Sequence, residues 1–284
     1  MTGIIGRQVE ADDFSRFGRS RRGSAATRQR GAGGLVLWLL LAGSALHAQS
    51  DSDGASFDRP GLGYSPQVLP AAGLAWEQGL PDWSRSHDQG VNYSTYTADS
   101  LLRLGLGHAL ELQLGGSPYN WQRQSGAQNL RSDGHGDSTL GLKWALPSPS
   151  ASWQWGMLGS VEFTDGAQNF RSDRRVYLLG LDANQQLDDD NALGYYAQWE
   201  RSGGADDYLL SASYSRSLGE QFGVYAEAAW EQQTGFGIGT AAGAGLIWQP
   251  SPRLQLDASF RHRLSGRADE WDAGLGISMY FGRL

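Results

Sequence analysis

The sequence predicts an all-β fold, a 12-stranded antiparallel transmembrane β-barrel preceded by a signal peptide. Three observations predict it. The first is strand-period alternation. From Trp271 to Phe281, Trp271, Ala273, Leu275, Ile277, Met279 and Phe281 share one side, and Asp272, Gly274, Gly276, Ser278 and Tyr280 the other. Side chains alternate across a strand, so one face is apolar and the other polar or small. The second is that no stretch after residue 50 approaches the about 18 apolar residues of a spanning helix, and mean hydropathy is −0.44. A chain that crosses a membrane without such helices must close into a barrel. The third is that short and long connections alternate, as periplasmic turns and external loops do in such barrels.

The elements follow in chain order. Arg16, Arg19, Arg21, Arg22, Arg28 and Arg30 precede an apolar core from Leu35 to Ala42, and Gly43, Ser44, Ala45 and Ala48 follow. That is the order of a secretory signal peptide, read here as residues 1–48, with cleavage after Ala45 or Ala48 and a start downstream of Met1. A membrane-anchoring helix is the rival reading, against which the core is short. Residues 49–67 read as a periplasmic segment and 68–284 as the barrel.

Twelve strands are expected, near 68–82, 94–106, 109–117, 137–146, 152–164, 174–187, 192–201, 207–218, 222–233, 240–249, 253–264 and 271–282. Most match the about 9–11 residues of a tilted spanning strand, and the number is even. The short connections are Gly107-His108, Pro147 to Ala151, Asp188 to Asn191, Gly219 to Gln221 and Pro250 to Pro252, with residues that turns favour. The longer ones include Ser84 to Tyr93, Ser117 to Gly136 and Asp165 to Asp173. Both chain ends then face the periplasm. Trp83, Trp144, Trp153, Trp155, Trp199, Trp230, Trp248, Trp271 and Phe281 fall near strand ends, where aromatic girdles form. Core aromatics of a soluble sandwich are the alternative.

Strand parity also sorts the charges. Inward positions include Glu77, Asp99, Arg103, Glu111, Gln113, Lys143, Glu162, Asp182, Asn184, Gln198, Glu200, Glu227, Glu231, Asp257, Arg261, Arg263 and Asp272. Ionisable groups at membrane depth must meet water or one another. They therefore line a hydrated pathway or fill the barrel as a closed network. Arg103, Glu111, Lys143, Glu200, Glu227, Glu231, Asp257, Arg261 and Arg263 are the candidate lumen residues. Loop 117–136, the longest, is the candidate lid. One octapeptide, Gly126 to Asp133, recurs as Gly166 to Asp173 with Leu130 replaced by Phe170. Both copies fall in external loops, where Arg131 and Arg171 form a paired rim or the copies merely buttress one another.

Composition narrows the function. With residues 1–48 removed, seven arginines and three acids are lost; 16 basic and 27 acidic residues remain, a net charge of −11. A nucleic-acid partner would need clustered basic surface. The chain has no cysteine, so thiolate metal sites and cysteine nucleophiles are excluded. No cofactor is expected: Gly237 to Ala242 resembles a dinucleotide loop only as a string, since it enters a strand and not a helix. His87, His108 and His135 share no metal-ligand spacing. His262 invites comparison with outer-membrane phospholipases, yet no serine on the facing strand ends is placed for it to activate. A non-enzymatic role is expected.

Several segments carry a family resemblance: Asp58-Arg59-Pro60-Gly61, Leu102 to Leu106 with Leu110 to Leu114 across a tight turn, Gly136 to Lys143, and Leu254 to Asp257. Together they resemble the outer-membrane family labelled "putative meta-pathway of phenol degradation", over about residues 56–284. The resemblance implies a 12-stranded channel for passive uptake of small, often hydrophobic or aromatic molecules, and no catalytic site. A plugged structural or adhesion barrel is the alternative, and a lipid-modifying enzyme a third reading. The expected partners are small-molecule solutes, outer-membrane lipid and the barrel-assembly machinery, for a monomer. The chain ends Phe281-Gly282-Arg283-Leu284, whereas many such barrels end in Phe.

Overall fold

The computed structural model describes residues 55–88, 90–126, 129–148 and 150–283. The expected signal peptide, residues 1–48, and residues 49–54 lie outside the described residues. Thirteen strands are present: β1 (Leu74–Asp88), β2 (Val91–Gly107), β3 (Leu110–Ser125), β4 (Asn129–Gly134), β5 (Ser138–Leu146), β6 (Trp153–Glu162), β7 (Val176–Gln186), β8 (Asn191–Ser202), β9 (Ala205–Ser217), β10 (Phe222–Gln233), β11 (Gly237–Ser251), β12 (Leu254–Gly266) and β13 (Trp271–Phe281). Sequence neighbours other than β4 and β5 pair antiparallel, and β1 also pairs with β13, from Leu74↔Phe281 to Arg85↔Trp271. The wall therefore closes on itself, and only the short β4 keeps a free edge. β4 pairs only with the upper part of β3, while β3 below it pairs with β5. The wall thus has twelve strands, the number expected.

The barrel is apolar outside and polar inside. On β2, Leu102 and Leu104 are 44% and 37% exposed, while Arg103 between them is fully buried. Glu111 and Lys143 are buried inward in the same way, and Leu142 and Leu181 point out. A soluble protein would reverse this pattern, because lone charges are almost never buried there. Lipid outside and partners inside account for it.

Two strands depart from expectation. The first begins at Leu74, not near residue 68. Gly73 donates to the Pro70 carbonyl and Ala72 to Gly105, so residues 70–73 form a turn that delivers the chain to β1 from inside the barrel. The region 117–136 is no free loop. Gly115, Gly116 and Pro118 read as a strand end, but β3 passes them with an irregular register between Ala98↔Tyr119 and Ser100↔Gly116. It continues to Ser125 and returns as β4, so the expected lid is a paired hairpin prolonging the wall.

Candidate functional site

The barrel interior is the candidate site, and residues 55–69 occupy it. On sequence, residues 55–67 fall in the expected periplasmic segment and Val68 and Leu69 in the first expected strand. The structure places the described part of that segment, residues 55–67, among inward side chains. The reason is pairing: the segment brings Asp58 to Lys143, Arg59 to Asp82 and Asp257, and backbone donors to Glu77, Glu111 and Glu227.

Three clusters hold it. In the first, Arg103 is central. Its Nε and Nη2 donate to the two Glu111 oxygens at 2.8 and 2.9 Å. Its Nη1 reaches Glu77 at 2.7 Å and the Ser56 carbonyl at 2.8 Å. Asp58 takes Lys143 Nζ at 2.7 Å and Gln113 Nε2 at 2.8 Å. The amides of Asp58 and Arg59 donate to Glu77, and that of Leu69 donates to Glu111. These residues come from β1, β2, β3 and β5. Asp58 lies outside the strands. Burial alone would raise its carboxyl, but Arg103 and Lys143 outweigh burial and hold it at about 2.

In the second cluster Arg59 crosses the lumen. It pairs with Asp82 at 3.1 Å and Asp257 at 3.4 Å, and donates to the Leu275 carbonyl at 3.2 Å. Burial would lower its affinity for a proton, but Asp82 and Asp257 raise it overall. In the third, Arg261 Nε meets Glu227 at 2.6 Å, its Nη1 meets Asp272 at 2.7 Å, and its Nη2 donates to the Pro60 carbonyl at 3.0 Å. Glu227 also accepts from the Leu62 amide.

Tyr64 anchors the far side. Its hydroxyl donates to the Gly180 carbonyl at 2.6 Å, and its ring meets Tyr196 edge-on at 5.5 Å. Lys143 Nζ lies 5.3 Å from that ring, within cation–π range. Glycine makes the close approach possible at Gly156, where a Cβ would stand 2.7 Å from Pro66 Cα.

Of the candidate lumen residues, Arg103, Glu111, Lys143, Glu227, Asp257 and Arg261 are gathered around this segment. Three are not. Glu200 accepts from Gln198 at 3.0 Å, Glu231 lies beside Gly239, and Arg263 meets Ala268 and Glu270 near the external end. Arg131 faces Arg123 across the β3–β4 hairpin, not Arg171, which is exposed in the loop after β6. The second repeat copy packs against the residues that follow the first. Asp137, just after the first copy, accepts from the amides of Gly166 and Ser172, and Ala167 donates to the His135 carbonyl. His262 has Ala242 and Trp271 as cross-strand neighbours, neither a nucleophile. The residues missed by sequence reasoning are Asp58, Arg59 and Tyr64. The signal was present in Asp58-Arg59-Pro60, two unlike charges before a proline-rich stretch, but nothing in it has a period.

The family model described as "Putative MetA-pathway of phenol degradation" matches residues 57–281. No curated protein matches the chain by sequence. Among solved structures, an outer-membrane channel from Pseudomonas putida F1 is similar with a TM-score of 0.61 and 14% identity, over 78% of this chain and 99% of that one. The KdgM porin in complex with disordered oligogalacturonate is similar with a TM-score of 0.51 and 10% identity, over 74% and 99%. The fold is that of bacterial outer-membrane barrels.

Proposed function

The chain belongs to the family described as "Putative MetA-pathway of phenol degradation", and on that footing we propose that it is an outer-membrane channel for passive uptake of small hydrophobic or aromatic molecules. It acts as a monomer in outer-membrane lipid, inserted by the barrel-assembly machinery. The observation that carries this reading is a closed barrel whose inner wall is polar and whose interior holds a separate, non-strand segment. The constriction is residues 55–69, held by ion pairs and not covalently. It excludes a wide water-filled pore for large hydrophilic solutes, which suits a channel for small compounds.

The test is uptake of phenol and related aromatics into liposomes carrying the refolded protein, with single-channel conductance measured in parallel. Uptake above that of protein-free liposomes, with small ion conductance, is the expected result. Uptake equal to the protein-free rate, from a barrel shown to be folded, overturns the reading. A structural barrel with loop-borne function is the second reading, favoured by the filled lumen. It predicts no uptake even when the segment is loosened.

A further inference from the structure

The outward face of β1–β4 carries three cross-strand rows beyond the apolar band. Strand pairing sets them: Trp83↔Tyr96, Tyr96↔Trp121 and Trp121↔Asp133 form one row. Two residues further along each strand lie Arg85↔Ser94, Ser94↔Arg123 and Arg123↔Arg131. Above them lie His87, Asn92, Ser125 and Asn129. Paired residues share a face, and Trp83 is 42% exposed, whereas Asn120 on the opposite face is buried. Tyr119, one row below Tyr96, packs edge-on against it at 6.1 Å. Tyr96, Tyr119 and Trp121 line a shallow groove.

The height of these rows can be worked out. Ten residues separate outward-facing Leu106 from Tyr96 on β2. At about 3.4 Å per residue and a tilt of about 40°, that is a rise of about 26 Å, close to the about 25 Å apolar band of such barrels. Tyr96 therefore sits at the outer interface. The arginine row sits about 7 Å further along the strands, at headgroup level.

Arg123 and Arg131 face each other directly across the hairpin, and both are exposed. Like charges in that position destabilise a strand pair. Neither has an ion pair among the described residues. Asp133, one row below, is not within ion-pair distance of either, and Arg85 is engaged by Glu270 at 3.3 Å. Two exposed arginines paired across the hairpin, next to an aromatic groove, offer two guanidinium forks to a phosphate group carried on an amphipathic body. The chain's net charge is negative, so this basic pair is not a product of overall composition.

We propose that Arg123 and Arg131 bind the phosphate of a phosphorylated glycolipid of the outer leaflet, with Tyr96, Tyr119 and Trp121 as the platform for its sugar and upper acyl portion. The lipid neutralises the arginine pair and holds the projecting β3–β4 hairpin upright at the rim.

The experiment measures binding of diphosphoryl lipid A to the purified full-length barrel by native mass spectrometry. Dephosphorylated lipid A and inorganic phosphate serve as competing probes. Arg123→Gln/Arg131→Gln lowers lipid A affinity by at least about tenfold, from loss of charge-assisted hydrogen bonds. Arg216→Gln, an exposed arginine at the periplasmic end of β9, leaves it unchanged. Wild-type affinity in the double variant overturns the proposal. So does equal binding of the dephosphorylated lipid, and so does displacement of the lipid by inorganic phosphate at equal concentration, which marks a free-anion site. Arg123→Lys/Arg131→Lys keeps both charges and covers failure of the glutamine pair to assemble. A several-fold loss there supports the forked contact, and no loss refutes it.

Discussion

Replacing Arg59 by alanine tests what closes the barrel. The Arg59 side chain is 4% exposed and bridges Asp82 on β1 with Asp257 on β12, whose own side chain is fully buried. Removing one member of a buried pair leaves the other charge uncompensated, at a cost of about 3–5 kcal/mol. That cost falls on the closed state alone, because withdrawal of the segment lets lumen water reach both carboxylates. The closed-to-open ratio therefore drops by roughly two to three and a half orders of magnitude, at about 1.4 kcal/mol per tenfold. The wall does not depend on Arg59, since its backbone ladders run between strands. Arg59→Ala should assemble, migrate as a heat-modifiable barrel and show frequent large conductance steps in planar bilayers where the parent shows rare or small ones. If the variant folds and its conductance trace matches the parent's, residues 55–69 are not the constriction, and the pathway proposed here is wrong.

Other perturbations test the same segment from different sides. Gly156→Val brings a branched side chain into Pro66, and should raise conductance while the strand content seen by circular dichroism stays unchanged. Tyr64→Phe removes the hydrogen bond to the Gly180 carbonyl, weakening closure by about 1 kcal/mol, and should raise protease sensitivity of the segment severalfold. Acid should also open the barrel. Asp58 is held at about 2, below its ordinary 3.8, so its contribution to closure is complete above about pH 4 and is lost as pH falls towards 2. Conductance that stays constant from pH 5 to pH 2 would contradict this. His262→Ala should leave aromatic uptake unaltered, and a lipase activity that vanished with it would reinstate the enzymatic reading.

The wall was legible because alternation is local: Leu102, Arg103 and Leu104 declare their faces within three residues. Closure and strand number followed from that period and from turn chemistry. The β3–β4 hairpin was not legible. Gly115, Gly116 and Pro118 are strong breaking signals, and they fall within a strand only because β2 follows the irregularity with a matching register. Inward parity likewise picked out Arg103, Glu111 and Arg261 without showing what they meet.

The missing partner was hard to see for a physical reason. Residues 55–69 have no periodic pattern, because their neighbours are not their own repeats but the inside of a ring. Arg59 bonds Asp82, 23 positions away, and the Leu275 carbonyl, 216 positions away. Pro60 is held by an arginine 201 positions later. Such contacts exist only after the barrel has closed, and no window of sequence contains them. Charge balance was the available clue. Burying Asp257 and Glu227 at membrane depth requires cations, and Arg261 serves only one of them. An unmatched inward acid therefore asks for a cation from outside the strands, and Arg59 is the nearest one preceding β1. The same reasoning turned outward finds the opposite imbalance. Arg123 and Arg131 are cations without an acid within ion-pair distance among the described residues, and the surface they share faces the lipid.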